Sequence, residues 1–263
     1  MNLLLQTLLF ILGAMFLLWL VSLLLRDASI VDIFWGAGFA CVAMITMGHQ
    51  VQFRLPELLL TRQTLVGSMT IIWGLRLALY LGWRNLGRGE DPRYQAMRNR
   101  YAGSFPLLSL PLVFILQGAL IWLISLPVQV TGKTAPGFGA GDGIGVGIWL
   151  AGLIFESVGD WQLARFKADP ASRGRVLDRG LWAWTRHPNY FGDALVWWGL
   201  SIPVIVGGVP WVIVSPLIMT WLLLRFSGVP LLEKGLLANR PGYADYIERT
   251  SKFFPRPPRR GRQ

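Results

Sequence analysis

Cysteine, histidine and acid are all scarce in this chain, and each shortage removes a class of function. Cys41 stands alone, so an internal disulfide and a multi-cysteine zinc site are both excluded. With only His49 and His187, a histidine-rich di-iron membrane site is excluded as well, although a mixed carboxylate site is not. Charge of either sign is thin: 15% of the residues are charged against 53% hydrophobic, and the mean hydropathy is +0.47. A soluble fold of 263 residues would need a more polar surface than this. Acid falls well short of base, 14 residues against 25, a formal charge of +11. The surplus sits in short segments between apolar runs. That pattern points away from nucleic acid and toward anionic lipid headgroups and a phosphate-bearing cofactor or substrate.

What the chain has in abundance is apolar length. Crossing the hydrocarbon takes roughly 20 mainly apolar residues with every backbone group bonded internally. Leu3–Leu25, Ile30–Met47, Thr64–Trp83, Phe105–Val128, Ile144–Leu163, Tyr190–Gly207 and Val209–Phe226 meet that demand. The first of these has neither a basic start nor a small-residue cleavage site, so it reads as a span rather than a signal peptide. Only Gly207, Gly208, Val209 and Pro210 separate the last two, which predicts a tight hairpin with a kink at Pro203 or Pro216.

Charge placement tests this map. The third connection carries Arg84, Arg88, Arg93, Arg98 and Arg100, the fifth carries Arg165, Lys167, Arg173, Arg175, Arg179 and Arg186, and nine basic residues follow from Arg225 onward. The second connection has Arg54 and Arg62, the fourth only Lys133, and the sixth none. The positive-inside rule therefore puts the odd connections and the C-terminus in the cytoplasm and the N-terminus outside. The expected fold is all-α: one polytopic membrane bundle over residues 1–263 with about seven transmembrane helices. Thr131 to Gly143 reads as a flexible glycine-rich loop, and residues 255–263 as a basic mobile tail.

Chemistry concentrates near the cytoplasmic ends. In the run Arg186-His187-Pro188-Asn189-Tyr190-Phe191-Gly192-Asp193, Pro188 suits the first turn of a helix and leaves Arg186 and His187 at its mouth. Asn189 and Asp193 then share a face one turn apart, where the helix N-terminus favours an anion or cofactor. Interfacial anchoring is the blander reading, and His187 can equally hydrogen-bond a loop carbonyl. Glu156 and Asp160 also lie four apart and should face the interior, whether for a ligand or for an ion pair. Trp73, Arg76, Tyr80 and Arg84 form a ladder along the third span, with Arg76 a candidate for phosphate or for pairing with Asp32 or Asp160. Asp32 either complements its helix dipole or faces a cavity. Arg88 and Arg93 offer phosphate donors or merely solvated topogenic charge. Glu233, Arg240, Tyr243, Tyr246 and Arg249 follow the last span, as a fold over the cytoplasmic opening or as an amphipathic surface helix. The glycines from Gly137 to Gly145 imitate a dinucleotide fingerprint, but no strand precedes them.

Four of these segments carry a resemblance: Val31-Asp32-Ile33-Phe34-Trp35-Gly36, Trp73-Gly74-Leu75-Arg76-Leu77, Gly89-Glu90-Asp91-Pro92-Arg93-Tyr94 and the run from Gly180 to Gly199. Together they resemble the DUF1295 family of bacterial membrane proteins, which is related to the C-terminal domain of steroid 5-alpha-reductases. The likeness covers residues 30–257. It implies a bacterial cytoplasmic membrane, NADPH bound in a cytoplasm-facing cavity, and reduction of a carbon–carbon double bond in a hydrophobic enone, steroid-like or another unsaturated lipid. The positions matching the cofactor pattern are Asp160, Lys167, Asn189 and Asp193, with Arg76, Tyr80 and Arg84, and more loosely Arg175 or Arg179 and Tyr243 or Tyr246; His187 joins them as a cofactor candidate. Trp73 stands where those enzymes place a ketone-binding tyrosine, and an indole cannot act as an acid. Asp32 and Glu57 are the candidates for a partner carboxylate, and Tyr80 or a histidine-bound water for the proton donor. The Arg-His-Pro-Asn-Tyr core is also similar to isoprenylcysteine and phospholipid methyltransferases, which implies S-adenosylmethionine as the alternative cofactor. Expected partners are a lipid-like substrate and membrane lipids.

Overall fold

A computed structural model describes residues 2–51, 61–85, 87–226, 233, 237 and 240–258. Helices account for nearly all regular structure, and no strand occurs among the described residues. Five helical stretches are long and apolar enough to cross a membrane: Leu3–Leu25, Ile30–His49, Arg62–Asn85, Pro92–Ile124 and Ala140–Ala168. The sixth predicted segment is a 19-residue helix, Pro188–Val206, with Pro203 inside it, and the seventh a shorter apolar stretch, Pro210–Arg225.

Two of the long helical stretches start at least four residues before the sequence expectation, each for a capping reason. The fourth stretch begins at Pro92, because the Asp91 carboxylate accepts the Arg93 N–H at 2.9 Å and Pro92 needs no partner for its nitrogen. The fifth begins at Ala140 rather than Ile144. There the Asp142 carboxylate turns back to accept the Gly139 N–H at 2.8 Å, so most of the glycine string is helix rather than loop.

The chain divides into two compact units, Met1–Phe138 with Val204–Val212, and Gly139–Pro203 with Ile213–Gln263. In the first, α1 (Leu3–Leu25), α2 (Ile30–Val51) and α3 (Arg62–Asn85) pack with a broken helical arm. That arm runs through α4 (Pro92–Tyr101), α5 (Phe105–Ser109), a π-helical turn at Leu110–Ile115, α6 (Leu116–Ile124) and α7 (Leu126–Gln129). The crossing of α2 and α3 rests on Gly36 and Gly74. A Cβ on Gly36 would collide with the Gly74 carbonyl and stand 3.0 Å from the Ala78 nitrogen. Phe39 and Trp73 fill the seam beside that crossing, both fully buried with ring centroids 5.6 Å apart. Small residues of this kind let membrane helices approach until their backbones touch.

The second unit is organised around α8 (Ala140–Ala168) and α10 (Pro188–Val206), joined through a short helix α9 (Leu181–Trp184). Gly145, Gly152 and Gly159 recur every seven residues on α8 and face, in reverse order, Pro203, Gly192 and Pro188 of α10. The pair is therefore antiparallel and in backbone contact along its length. An apolar helix α11 (Val214–Trp221) and a C-terminal helix α12 (Tyr243–Arg249) complete the described part of this unit.

Candidate functional site

In the second unit the chain turns a corner between α9 and α10. Gly180 takes a positive φ of 64°, and the Leu181 N–H donates to the Gln162 side chain at 3.0 Å. Thr185 is extended, and Pro188 then opens α10. The C-terminal segment straps this corner down. The Arg186 N–H donates to the Ser251 carbonyl at 2.9 Å, the Thr185 hydroxyl to the Phe253 carbonyl at 2.9 Å, and the Arg256 N–H to the Trp184 carbonyl at 3.0 Å. The Tyr246 hydroxyl donates to the Trp182 carbonyl at 2.5 Å.

Arg186 is the centre of the strap. Its side chain is 7% exposed; Nε donates to Glu233 Oε1 at 2.7 Å, and Nη1 to the carbonyls of Ile247 at 3.1 Å and Thr250 at 2.8 Å. His187 Nε2 reaches the same Glu233 oxygen at 3.1 Å. Because a carboxylate only accepts, the imidazole carries its proton on Nε2. Burial pushes the Glu233 carboxyl up, but hydrogen bonds from His187 and Arg186 and the Arg186 charge outweigh it and bring it down to about 2. Burial pulls His187 below its usual range despite Glu233, which pulls the other way. Both shifts make the strap acid-labile. The His187 contribution is lost as pH falls below 6.5, where the unfolded imidazole takes a proton that the buried one refuses. The Glu233 contribution is complete above 4.5 and is lost as pH falls toward about 2. Hydrogen exchange at residues 243–258 should therefore accelerate as pH is lowered from 7 to 5, after correction for intrinsic rates.

One turn further in, Asp160 and Glu156 are 4% and 3% exposed, as their spacing predicts. Asn189 Nδ2 donates to Asp160 Oδ1 at 3.2 Å, so the acid of α8 and the amide of α10 form one polar cluster. Gly159 makes room for it: a Cβ there would lie 3.2 Å from the Asn189 nitrogen. Asp193 lies half-buried four residues along α10 from Asn189. Lys167, Arg175 and Arg179 are exposed. Tyr243 and Tyr246 are buried, with burial pushing the Tyr243 phenol up to about 12.

The first unit holds the remaining candidates. Arg76 and Arg84 flank the Tyr80 ring at 5.9 Å and 5.7 Å from its centroid, a guanidinium–phenol–guanidinium ladder on α3. Trp73 is core, packed on Phe39. Asp32 accepts from Arg93 at 2.6 Å and from the Tyr94 hydroxyl at 2.7 Å, so its partners are these two and not Arg76. Glu90 takes both the Ala28 N–H and a two-pronged Arg98 contact at 2.9 Å and 2.8 Å. Burial raises Glu90, but Arg98 and the Ala28 N–H bring it below its usual value. Gly89 to Tyr94 thus fastens α4 to the junction of α1 and α2. Arg88 is exposed, and Glu57 lies outside the described residues.

A family model described as a protein of unknown function, DUF1295, matches residues 18–250. The chain belongs to the DUF1295 family. It is also similar to an uncharacterized protein of the fission yeast Schizosaccharomyces pombe, 25% identical over 279 residues, which cover 94% of this chain and 77% of the relative. That relative is eukaryotic, so the expectation of a bacterial membrane gains no support from it. No solved structure matches the chain. In this DUF1295 protein two of the four segments that carry the resemblance are fastened within their own unit: Gly89 to Tyr94 by Asp32 and by the Glu90 contacts with Ala28 and Arg98, and the run from Gly180 to Gly199 by Glu233, which holds Arg186 and His187. The heptad of glycines on α8 and the Arg186–Glu233 pair were not read from the sequence. The glycine period was visible there; the ion pair, 47 residues apart, was not.

Proposed function

We propose that this protein is an NADPH-dependent membrane reductase acting on the carbon–carbon double bond of a hydrophobic enone. In this reading the bundle has seven spans with the C-terminus in the cytoplasm. The observation that carries it is the Asp160–Asn189 cluster, a buried carboxylate hydrogen-bonded to an amide between two apolar helices. Such groups are costly in a membrane fold and mark ligand sites. Their chemistry fits the cofactor: a carboxylate accepts from ribose hydroxyls or a carboxamide N–H, and Asn189 offers both donor and acceptor. Asp160, Asn189 and Asp193 would hold the nucleoside part, while exposed Lys167, Arg175 and Arg179 supply cationic partners for phosphate. When bound, NADPH supplies a hydride, and the apolar walls of the fold favour a lipid-like acceptor and exclude water.

One observation favours a second reading, an S-adenosylmethionine-dependent methyltransferase. Arg186 and His187 are both held by Glu233, which removes a guanidinium and an imidazole N–H from phosphate binding. Titrating the detergent-solubilised full-length protein with NADPH and with S-adenosylmethionine separates the two. The expected result is NADPH binding that Asp160→Asn weakens roughly tenfold, the scale of a lost hydrogen bond to a charged group. Binding of S-adenosylmethionine alone would reject the reductase. Unaltered NADPH binding in both Asp160→Asn and Asn189→Ala would reject the site.

A further inference from the structure

The first unit also buries polar groups that the proposed site does not use. Thr46 near the end of α2 is 1% exposed, and Gln63 at the start of α3 is 4% exposed. The Gln63 amide nitrogen donates to the Thr46 carbonyl at 2.6 Å, which fixes the carboxamide. Its oxygen, and the Thr46 hydroxyl, have no hydrogen-bond partner among the described residues. Helical threonines elsewhere return their hydroxyl to the preceding turn, as Thr70 does to the Val66 carbonyl at 2.8 Å, but Thr46 does not. A buried acceptor left without a donor costs about 1–3 kcal/mol, so an outside partner is called for.

Both residues line a cavity of about 180 Å³, together with Leu3, Leu4, His49 and Lys133. That exceeds many times the ~10–15 Å³ needed to hold one water. The Gln129 carboxamide on the same wall is already satisfied, accepting from the Thr7 hydroxyl and donating to the Trp122 carbonyl and the Ser125 hydroxyl. The residues of this wall therefore keep one amide oxygen and one hydroxyl, both buried and without a hydrogen-bond partner among the described residues, while His49 and Lys133 are exposed. Its apolar side is Leu3 and Leu4, and the exposed Leu5 and Leu9 continue along α1 as a strip facing outward. Fourteen residues of α2 separate Thr46 from Asp32, about 21 Å of helix, so the cavity is remote from the charged cluster at the other end of that helix.

We propose that this cavity seats the polar headgroup of a membrane phospholipid. The headgroup amine or hydroxyl donates to Gln63 Oε1, the Thr46 hydroxyl serves the same group, Lys133 pairs with the phosphate, and an acyl chain lies along Leu5 and Leu9. A mainly apolar cavity with a few polar groups, opening beside an apolar helix face, suits an amphiphile better than a free solute.

The test is native mass spectrometry of the full-length protein in detergent with phosphatidylethanolamine or phosphatidylglycerol added. Wild type is expected to retain one phospholipid, and Thr46→Val and Lys133→Ala each to weaken retention about fivefold, the scale of one hydrogen bond or ion pair. Thr46→Val removes a hydroxyl that bonds to nothing among the described residues, so its Tm should be unchanged or higher; loss of lipid at unchanged Tm separates binding from folding. Equal retention by wild type and both variants overturns the proposal and leaves a cavity that holds water only. Displacement by free glycerophosphoethanolamine as effectively as by the intact lipid overturns the lipid assignment in favour of a soluble phosphate ester.

Discussion

Replacing Gly152 by leucine is expected to abolish folded protein, whereas the same change at Gly147, five residues away on the same helix, should be tolerated. A Cβ on Gly152 would stand 2.7 Å from both the Gly192 carbonyl oxygen and the Val196 nitrogen, and 2.9 Å from the Leu195 Cβ. Two of those neighbours are backbone, so no side-chain rotation relieves the clash. Separating α8 from α10 would also open the contacts at Gly145 and Gly159, because the three glycines lie on one seam. Inserting extra methylenes into a packed core typically costs about 1–3 kcal/mol where side chains can adjust. Here the backbones themselves must move, and the cost exceeds that range. Gly147 has nothing within 4 Å of its Cβ position and is exposed. Size-exclusion recovery of the two variants from detergent checks the contrast; equal recovery would mean that α8 and α10 do not touch as described.

The same helix shows how far sequence reasoning reaches. Apolar length alone placed α1, α2 and α3 within a few residues, because a run of leucine, isoleucine and valine in a membrane has no alternative to helix. It failed at Ala140, where glycines read as flexibility. In a membrane helix, glycine at a fixed period signals close packing instead. It failed again at Pro92, where Arg93, Arg98 and Arg100 put a capped helix into a basic cytoplasmic connection. At the candidate site, the burial of Glu156 and Asp160 followed from the cost of carboxylates facing lipid. Local spacing put Arg186 and His187 at a helix mouth but could not show that Glu233 faces them. The chain distance between partners carries no pattern.

Arg186→Ala is expected to release the C-terminal segment and to destabilise the second unit strongly, and Arg186→Lys to do so less. Arginine meets three acceptors here, one carboxylate oxygen and the carbonyls of Ile247 and Thr250, with geometrically separate N–H groups. An ammonium is a point charge on a flexible stem and cannot reproduce that fork. Removing either partner of a buried pair costs about 3–5 kcal/mol, because the other charge is left uncompensated. The loss should therefore be largest in Arg186→Ala; Arg186→Lys, which keeps the positive charge beside Glu233 but loses the fork to the Ile247 and Thr250 carbonyls, should lose less but still measurably. Its signature is local: hydrogen exchange at residues 243–258 should rise toward the unprotected rate, while the α2–α3 seam around Phe39 and Trp73 keeps its protection. Glu233→Gln provides the complementary measurement. It keeps the side-chain shape and an acceptor for Arg186 Nε but removes the negative charge, so it should release the segment partly and abolish the acid dependence below 4.5 that Glu233 contributes. Retention of that acid dependence in Glu233→Gln would show that another carboxylate holds Arg186.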